Sequence, residues 1–107
     1  MFPPEGRQFL VTQEEQARLH AYVEGRVQGV GFRLFVIQAA KILDVTGWVR
    51  NTGKGEVEVM AEGSRANLNK LLEYLRQGPR AAFVINVRQE WLEASGEFPD
   101  FDVAYSV

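Results

Sequence analysis

The spacing of apolar residues switches between a period of two and a helical period along this chain, and those switches restrict its fold more than any other feature. "RLHAYVEG" alternates, with Leu19, Ala21 and Val23 on one side and His20, Tyr22 and Glu24 on the other. That is the pattern of a half-buried strand. Phe32, Phe35, Val36, Ala39, Ala40 and Leu43 then recur at helical spacing and predict a helix over 32–43. "VTGWVRN" reads as a second strand from Val45, "TGKG" as a turn, and "EVEVMAE" as a returning strand with Val57, Val59 and Ala61 on one face. Two strands joined by a short glycine-containing loop make a hairpin. Ser64 suits a helix N-cap. Behind it Leu68, Leu71, Leu72 and Leu75 form one stripe, and Gly78-Pro79 is a stop signal. "AFVINVRQEWLEA" and "FPDFDVAYSV" are two more alternating runs flanking Ser95-Gly96.

The order is β-α-β-β-α-β with one extra terminal strand. It predicts an α+β, ferredoxin-like sandwich, in which an antiparallel-dominated sheet carries both helices on one face. The 107 residues suffice for one core and not two. Residues 1–17, with two prolines followed by "TQEEQ", read as a mobile N-terminal extension, and 18–107 as the folded domain. There is no cysteine and a single histidine, His20, which excludes disulfides, thiolate catalysis and histidine-rich metal sites. The first residues lack the basic start and apolar stretch of a secretion signal. No run approaches the roughly 20 apolar residues that span a bilayer. A cytoplasmic protein without membrane contact is the expectation. The net charge of −2 argues against an electrostatically driven nucleic-acid binder.

Between the first strand and the first helix stands "GRVQGVGFR", Gly25 to Arg33. Such a junction leaves backbone N–H groups unpaired and pointing outward. Its three glycines can adopt positive φ, so successive amides can turn toward one centre, and the helix adds its partial positive charge. Arg33 can present a forked, permanently charged donor to a tetrahedral oxyanion. The alternative is a tight connection with surface arginines, since the glycine spacing matches neither a dinucleotide loop nor a P-loop. Against that alternative, a cation in the first helical turn opposes the helix dipole by about 0.3–1 kcal/mol, and a bound anion would reverse the sign.

Asn51 ends the second strand and shares parity with Val45, Gly47 and Val49. It can be a turn asparagine opening "NTGKG", or its carboxamide can hold a water through donor and acceptor together. Thr52 is a more remote contributor. His20 reads as a solvated or satisfied side chain rather than a general base, Trp48 and Trp91 as packing residues, and Glu56, Glu58 and Glu62 as the polar side of a strand.

"GRVQGVGFR" followed by "GWVRNTGKGEVEV" resembles the acylphosphatase family, and the likeness runs from about Arg18 to the C-terminus. The resemblance implies hydrolysis of a small-molecule acyl phosphate to a carboxylate and orthophosphate, with no metal or organic cofactor. Carried over by motif position, it makes Arg33 the phosphate arginine and Asn51 the residue that orients the attacking water. It also makes the backbone amides of Arg26, Val27, Gln28, Gly29 and Val30 the phosphate socket. A monomer without nucleic-acid partners is the expectation. Where the family often has glycine after the first helix, this chain has Asp44, a residue that adopts the required left-handed conformation less readily. Two rival readings are a carbamoyl-phosphate-handling domain of a larger maturation enzyme, which a chain ending after one domain disfavours, and a non-catalytic anion- or RNA-binding module. "GVGFRLFV" has a passing likeness to an RNA-recognition strand, but its apolar spacing is helical.

Overall fold

The computed structural model describes residues 15–105. In chain order they form β1 (Gln16–Arg26), α1 (Phe32–Ile42), β2 (Thr46–Asn51), β3 (Val57–Ser64), α2 (Arg65–Gln77), β4 (Phe83–Leu92) and β5 (Phe101–Val103). The sheet order is β4-β1-β3-β2-β5. β1 pairs antiparallel with β3 and β4, β2 antiparallel with β3, and β5 parallel with β2. The helices pack on each other and on one face of the sheet, so the ferredoxin-like α+β architecture is as expected. β1 starts two residues ahead of the expected Arg18, with Ala17 buried. Most of the expected N-terminal extension, residues 1–14, lies outside the described residues. The last alternating run yields a short strand, because only Phe101–Val103 reach β2.

The core follows the periodicities. Leu19, Ala21 and Val23 of β1, Val57, Val59 and Ala61 of β3, and Val49 of β2 are fully buried beneath Phe32, Val36 and Ala40 of α1 and the leucine stripe of α2. α2 starts at Ser64, whose Oγ accepts the Asn67 N–H at 3.1 Å, and stops at Gly78, whose φ is 70°. The Asn67 side chain donates to the Leu43 carbonyl at 2.9 Å and so ties α2 to the end of α1.

That end of α1 is an Asp-capped Schellman turn. Asp44 stands at φ 56°, its N–H donating to Lys41 O (3.3 Å) while the Val45 N–H reaches Ala40 O (2.9 Å). A side chain in this conformation is strained relative to glycine, and an exposed carboxylate also opposes the negative end of the helix dipole. Greater freedom of glycine in the unfolded chain offsets part of the gain. Asp44→Gly is therefore expected to stabilise the fold by about 1 kcal/mol, seen as a higher urea midpoint at unchanged slope.

The sheet face away from the helices holds the acidic side of β3, and burial there exceeds what strand parity suggests. Glu58 and Glu62 are only 4% and 5% exposed. Each lies directly across from an arginine, Arg50 opposite Glu58 and Arg18 opposite Glu62, and opposite charges in such pairs attract. Glu58 accepts from Arg50 Nε at 2.8 Å and lies 2.7 Å from His20 Nε2, so His20 is a satisfied side chain. Burial pushes Glu58 up, but hydrogen bonds from His20, Arg50 and Tyr22 outweigh it and hold the carboxyl below its ordinary range. Arg50 also covers Trp48, and Arg65 covers Trp91 at 3.9 Å from the ring centre.

Glu62 is bound more fully, by Arg18 Nε (2.6 Å), the backbone N–H groups of Ser95 (2.8 Å) and Gly96 (2.9 Å), and the Ser95 hydroxyl (2.9 Å). Burial raises its pKa, yet these donors prevail and bring it from 4.5 to about 2. The folded-state value is thus depressed, so the stabilisation is complete above about 4.5 and is lost as pH falls toward 2. Glu62→Gln is expected to destabilise the protein by about 2–3 kcal/mol at neutral pH. The gap between variant and wild type should narrow steadily from pH 5 to pH 2 in urea titrations. A constant gap would place the effect elsewhere than in this carboxylate.

Candidate active site

The site lies where β1 passes into α1, beside the end of β2. β1 carries a register shift between Glu24 and Gly25 against β4, and such irregularities re-aim a chain near functional positions. After it, Val27 turns inward and is buried, anchoring the loop in the core. Gly29 and Gly31 then stand at φ 74° and 79°, conformations that most side chains avoid. Gly31 is the N-cap of α1 and offers no side-chain cap, and the first turn holds no acidic residue.

Among the described residues, no backbone N–H from Gln28 to Leu34 donates to a backbone carbonyl; the first closed turn is Phe35 N–H to Gly31 O at 3.1 Å. A row of open donors with a helix N-terminus behind it is a site for an anion. Arg33 stands in that first turn, exposed, and no carboxylate among the described residues pairs with it. A cation there opposes the helix dipole by about 0.3–1 kcal/mol, a cost that a bound anion would reverse.

Arg33 and Asn51 border one cavity of about 350 Å³, together with Val27, Gly29, Gly31 and Leu34. Asn51 comes from the last position of β2, half-buried, on the helix-facing parity that the sequence assigns to it. Val27 and Gly29 are the members of the expected socket that border the cavity. Arg26 ends β1 with its side chain exposed, and Val30 packs against the core. Arg33 is the only charged side chain bordering the cavity among the described residues, so the wall offers no carboxyl or imidazole to carry a proton. Nor do the described residues include three histidine, aspartate or glutamate side chains grouped to hold a metal ion. No helix among them is long and apolar enough to cross a membrane.

Gln28 has a role that its place in the loop does not reveal. Its Nε2 donates to Thr52 O and to Glu56 O, both at 2.9 Å, joining the glycine loop to the β2–β3 turn. Thr52 shapes that turn from inside, its hydroxyl accepting from the N–H groups of Lys54 (3.2 Å) and Glu56 (3.3 Å). Arg33 and Asn51 therefore belong to two segments locked together by one carboxamide. The only signal available in the sequence was a glutamine among glycines, whose acceptors are more than 20 residues away.

A family model for acylphosphatase matches residues 19–103. The chain is 47% identical over 90 residues to the acylphosphatase of Pelotomaculum thermopropionicum, a match covering 84% of this chain and 98% of that protein. Among solved structures it is similar to an acylphosphatase from Coxiella burnetii, with a TM-score of 0.79 and 40% identity over 88% of this chain and 100% of that one. It is also similar to acylphosphatase from Bacillus subtilis, with a TM-score of 0.80 and 32% identity over 83% and 99% of the two chains. Motif, topology and near full-length identity thus converge, and the chain belongs to the acylphosphatase family of hydrolases.

Proposed function

We propose that the protein hydrolyses the carboxyl–phosphate bond of acyl phosphates with Arg33 and the loop amides holding the phosphate and Asn51 holding the water. The observation that carries this reading is that Arg33 and Asn51 border one cavity together with Val27, Gly29 and Gly31 of a loop whose N–H groups from Gln28 onward donate to no backbone carbonyl among the described residues. In this scheme the Arg33 guanidinium and the amides of Arg26, Val27, Gln28, Gly29 and Val30 grip the non-bridging oxygens. The Asn51 carboxamide aims the water oxygen at phosphorus, in line with the acyl oxygen. The new P–O bond forms as the bond to the acyl oxygen breaks, and the electron pair leaves with the carboxylate. Both protons of the water end on orthophosphate, so a dianionic substrate gives two monoanions.

The leaving group explains the lack of an acid or base on the wall. A carboxylic acid has a pKa of about 4, so its anion departs without being protonated. What the enzyme must supply is stabilisation of phosphoryl charge and placement of one water, and positioning with electrostatics dominates phosphoryl transfer. The scheme uses no metal and no organic cofactor. It describes a monomer acting in the cytoplasm on a small molecule, without membrane or nucleic-acid partners, in keeping with a cysteine-free chain of net charge −2. The deciding experiment is turnover of benzoyl phosphate by wild type and Arg33→Ala side by side in excess chelator. Loss of wild-type activity in chelator would count against the metal-free scheme.

A further inference from the structure

The cavity is larger than a phosphate and one water require, and its surplus wall is apolar. Beside Arg33 on α1 stands Leu34, a large hydrophobic side chain left 60% exposed. Ile37, one turn further along α1, and Val103 of β5, 48% exposed, complete that side. A second hollow of about 490 Å³, bordered by Val103, Ala104 and Tyr105, shares Val103 with the first, so the apolar surface continues outward from the site. Exposed apolar side chains gathered at the rim of a cavity mark a place where something apolar binds.

We infer that Leu34, Ile37 and Val103 form the acyl-binding wall of this enzyme and select acyl phosphates with a neutral, apolar acyl group over those bearing a second carboxylate. The inference rests on the phosphate being held by Arg33 and the loop amides. With the phosphorus fixed there, the acyl group leaves the cradle along the wall next to Arg33. An aryl or branched alkyl group covers Leu34 and Val103 and removes apolar surface from water on both partners. A carboxylate in the same place would be desolvated against those side chains. No cation on the cavity wall other than Arg33 could compensate it among the described residues, and Arg33 is occupied by the phosphate.

The test compares kcat/KM for benzoyl, acetyl and succinyl phosphate in wild type, Leu34→Ala and Leu34→Lys, with inhibition by orthophosphate measured alongside. Ratios between substrates are read, because the three anhydrides differ in intrinsic reactivity. Leu34 is exposed and helical, so truncation to alanine leaves the core intact and the helix well populated. Leu34→Ala should reduce the benzoyl-to-acetyl preference by about 5- to 10-fold while the inhibition constant for orthophosphate stays within about twofold. Leu34→Lys should raise the succinyl-to-acetyl ratio by a factor of about 5 or more. Equal changes for all three substrates in Leu34→Ala, or no change in either ratio, would overturn the inference. Failure of the phosphate placement has a separate signature, an Arg33→Ala enzyme that keeps its orthophosphate affinity whatever the Leu34 ratios show.

Discussion

Arg33→Ala should lower kcat/KM for an acyl phosphate by roughly 30- to 1000-fold, about 2–4 kcal/mol of lost transition-state stabilisation. The guanidinium is the one charged group on the cavity wall among the described residues, and no carboxylate there pairs with it. Charge and bidentate geometry disappear together in this substitution, so competitive inhibition by orthophosphate should weaken by about the same order. Folding stability should move the opposite way. Removing a cation from the first turn of α1 relieves its opposition to the dipole, for a gain of about 0.3–1 kcal/mol. Activity that falls while the urea midpoint rises separates a functional arginine from a structural one. Orthophosphate inhibition of undiminished strength in the variant would remove Arg33 from the socket.

Asn51→Ala should act on turnover alone. The Asn51 side chain makes no hydrogen bond within the described residues, so its removal strands no partner, and stability should hold within about 0.5 kcal/mol. If the carboxamide aligns the attacking water, kcat should fall on the order of 100-fold or more, the scale associated with a misplaced reactant. KM and the orthophosphate inhibition constant should change little, because the phosphate contacts stay in place. Equal losses in kcat and orthophosphate affinity would recast Asn51 as a phosphate ligand, and undiminished kcat would leave the water unassigned.

Much of this architecture is legible in the chain because the rules involved are local. Leu19, Ala21 and Val23 fall on the core face through a period of two, and Leu68, Leu71, Leu72 and Leu75 through a helical period. Ser64 and Gly78 bound α2 through cap chemistry that acts within four residues. Asp44 could be singled out because the family resemblance expects glycine after the first helix, and the residue does stand at positive φ. Arg33 and Asn51 stand at element ends whose parity and position follow from the same local patterns.

What the sequence leaves dark depends on register between distant segments. Parity places Glu58 and Glu62 on the polar face of β3, yet their burial follows from Arg50, Arg18, His20 and Ser95 folding over them from other segments. The brevity of β5 and its parallel pairing with β2 are likewise non-local, and with them Val103 arrives at the cavity. Leu34 lies off the apolar stripe of α1, and only the fold places it on the cavity wall.

The clasp formed by Gln28 bears on how this domain tolerates change. The tip of the β2–β3 hairpin, Gly53–Gly55, is exposed and glycine-bearing, a place where extra residues ordinarily cost a fold very little. Here both ends of that tip, Thr52 and Glu56, are acceptors for a single carboxamide rooted in the glycine loop. Lengthening the hairpin would spread those two oxygens apart and tug on a loop that the inserted residues never touch. On the proposed function, an insertion in this innocuous bend is therefore expected to cost activity before it costs the fold.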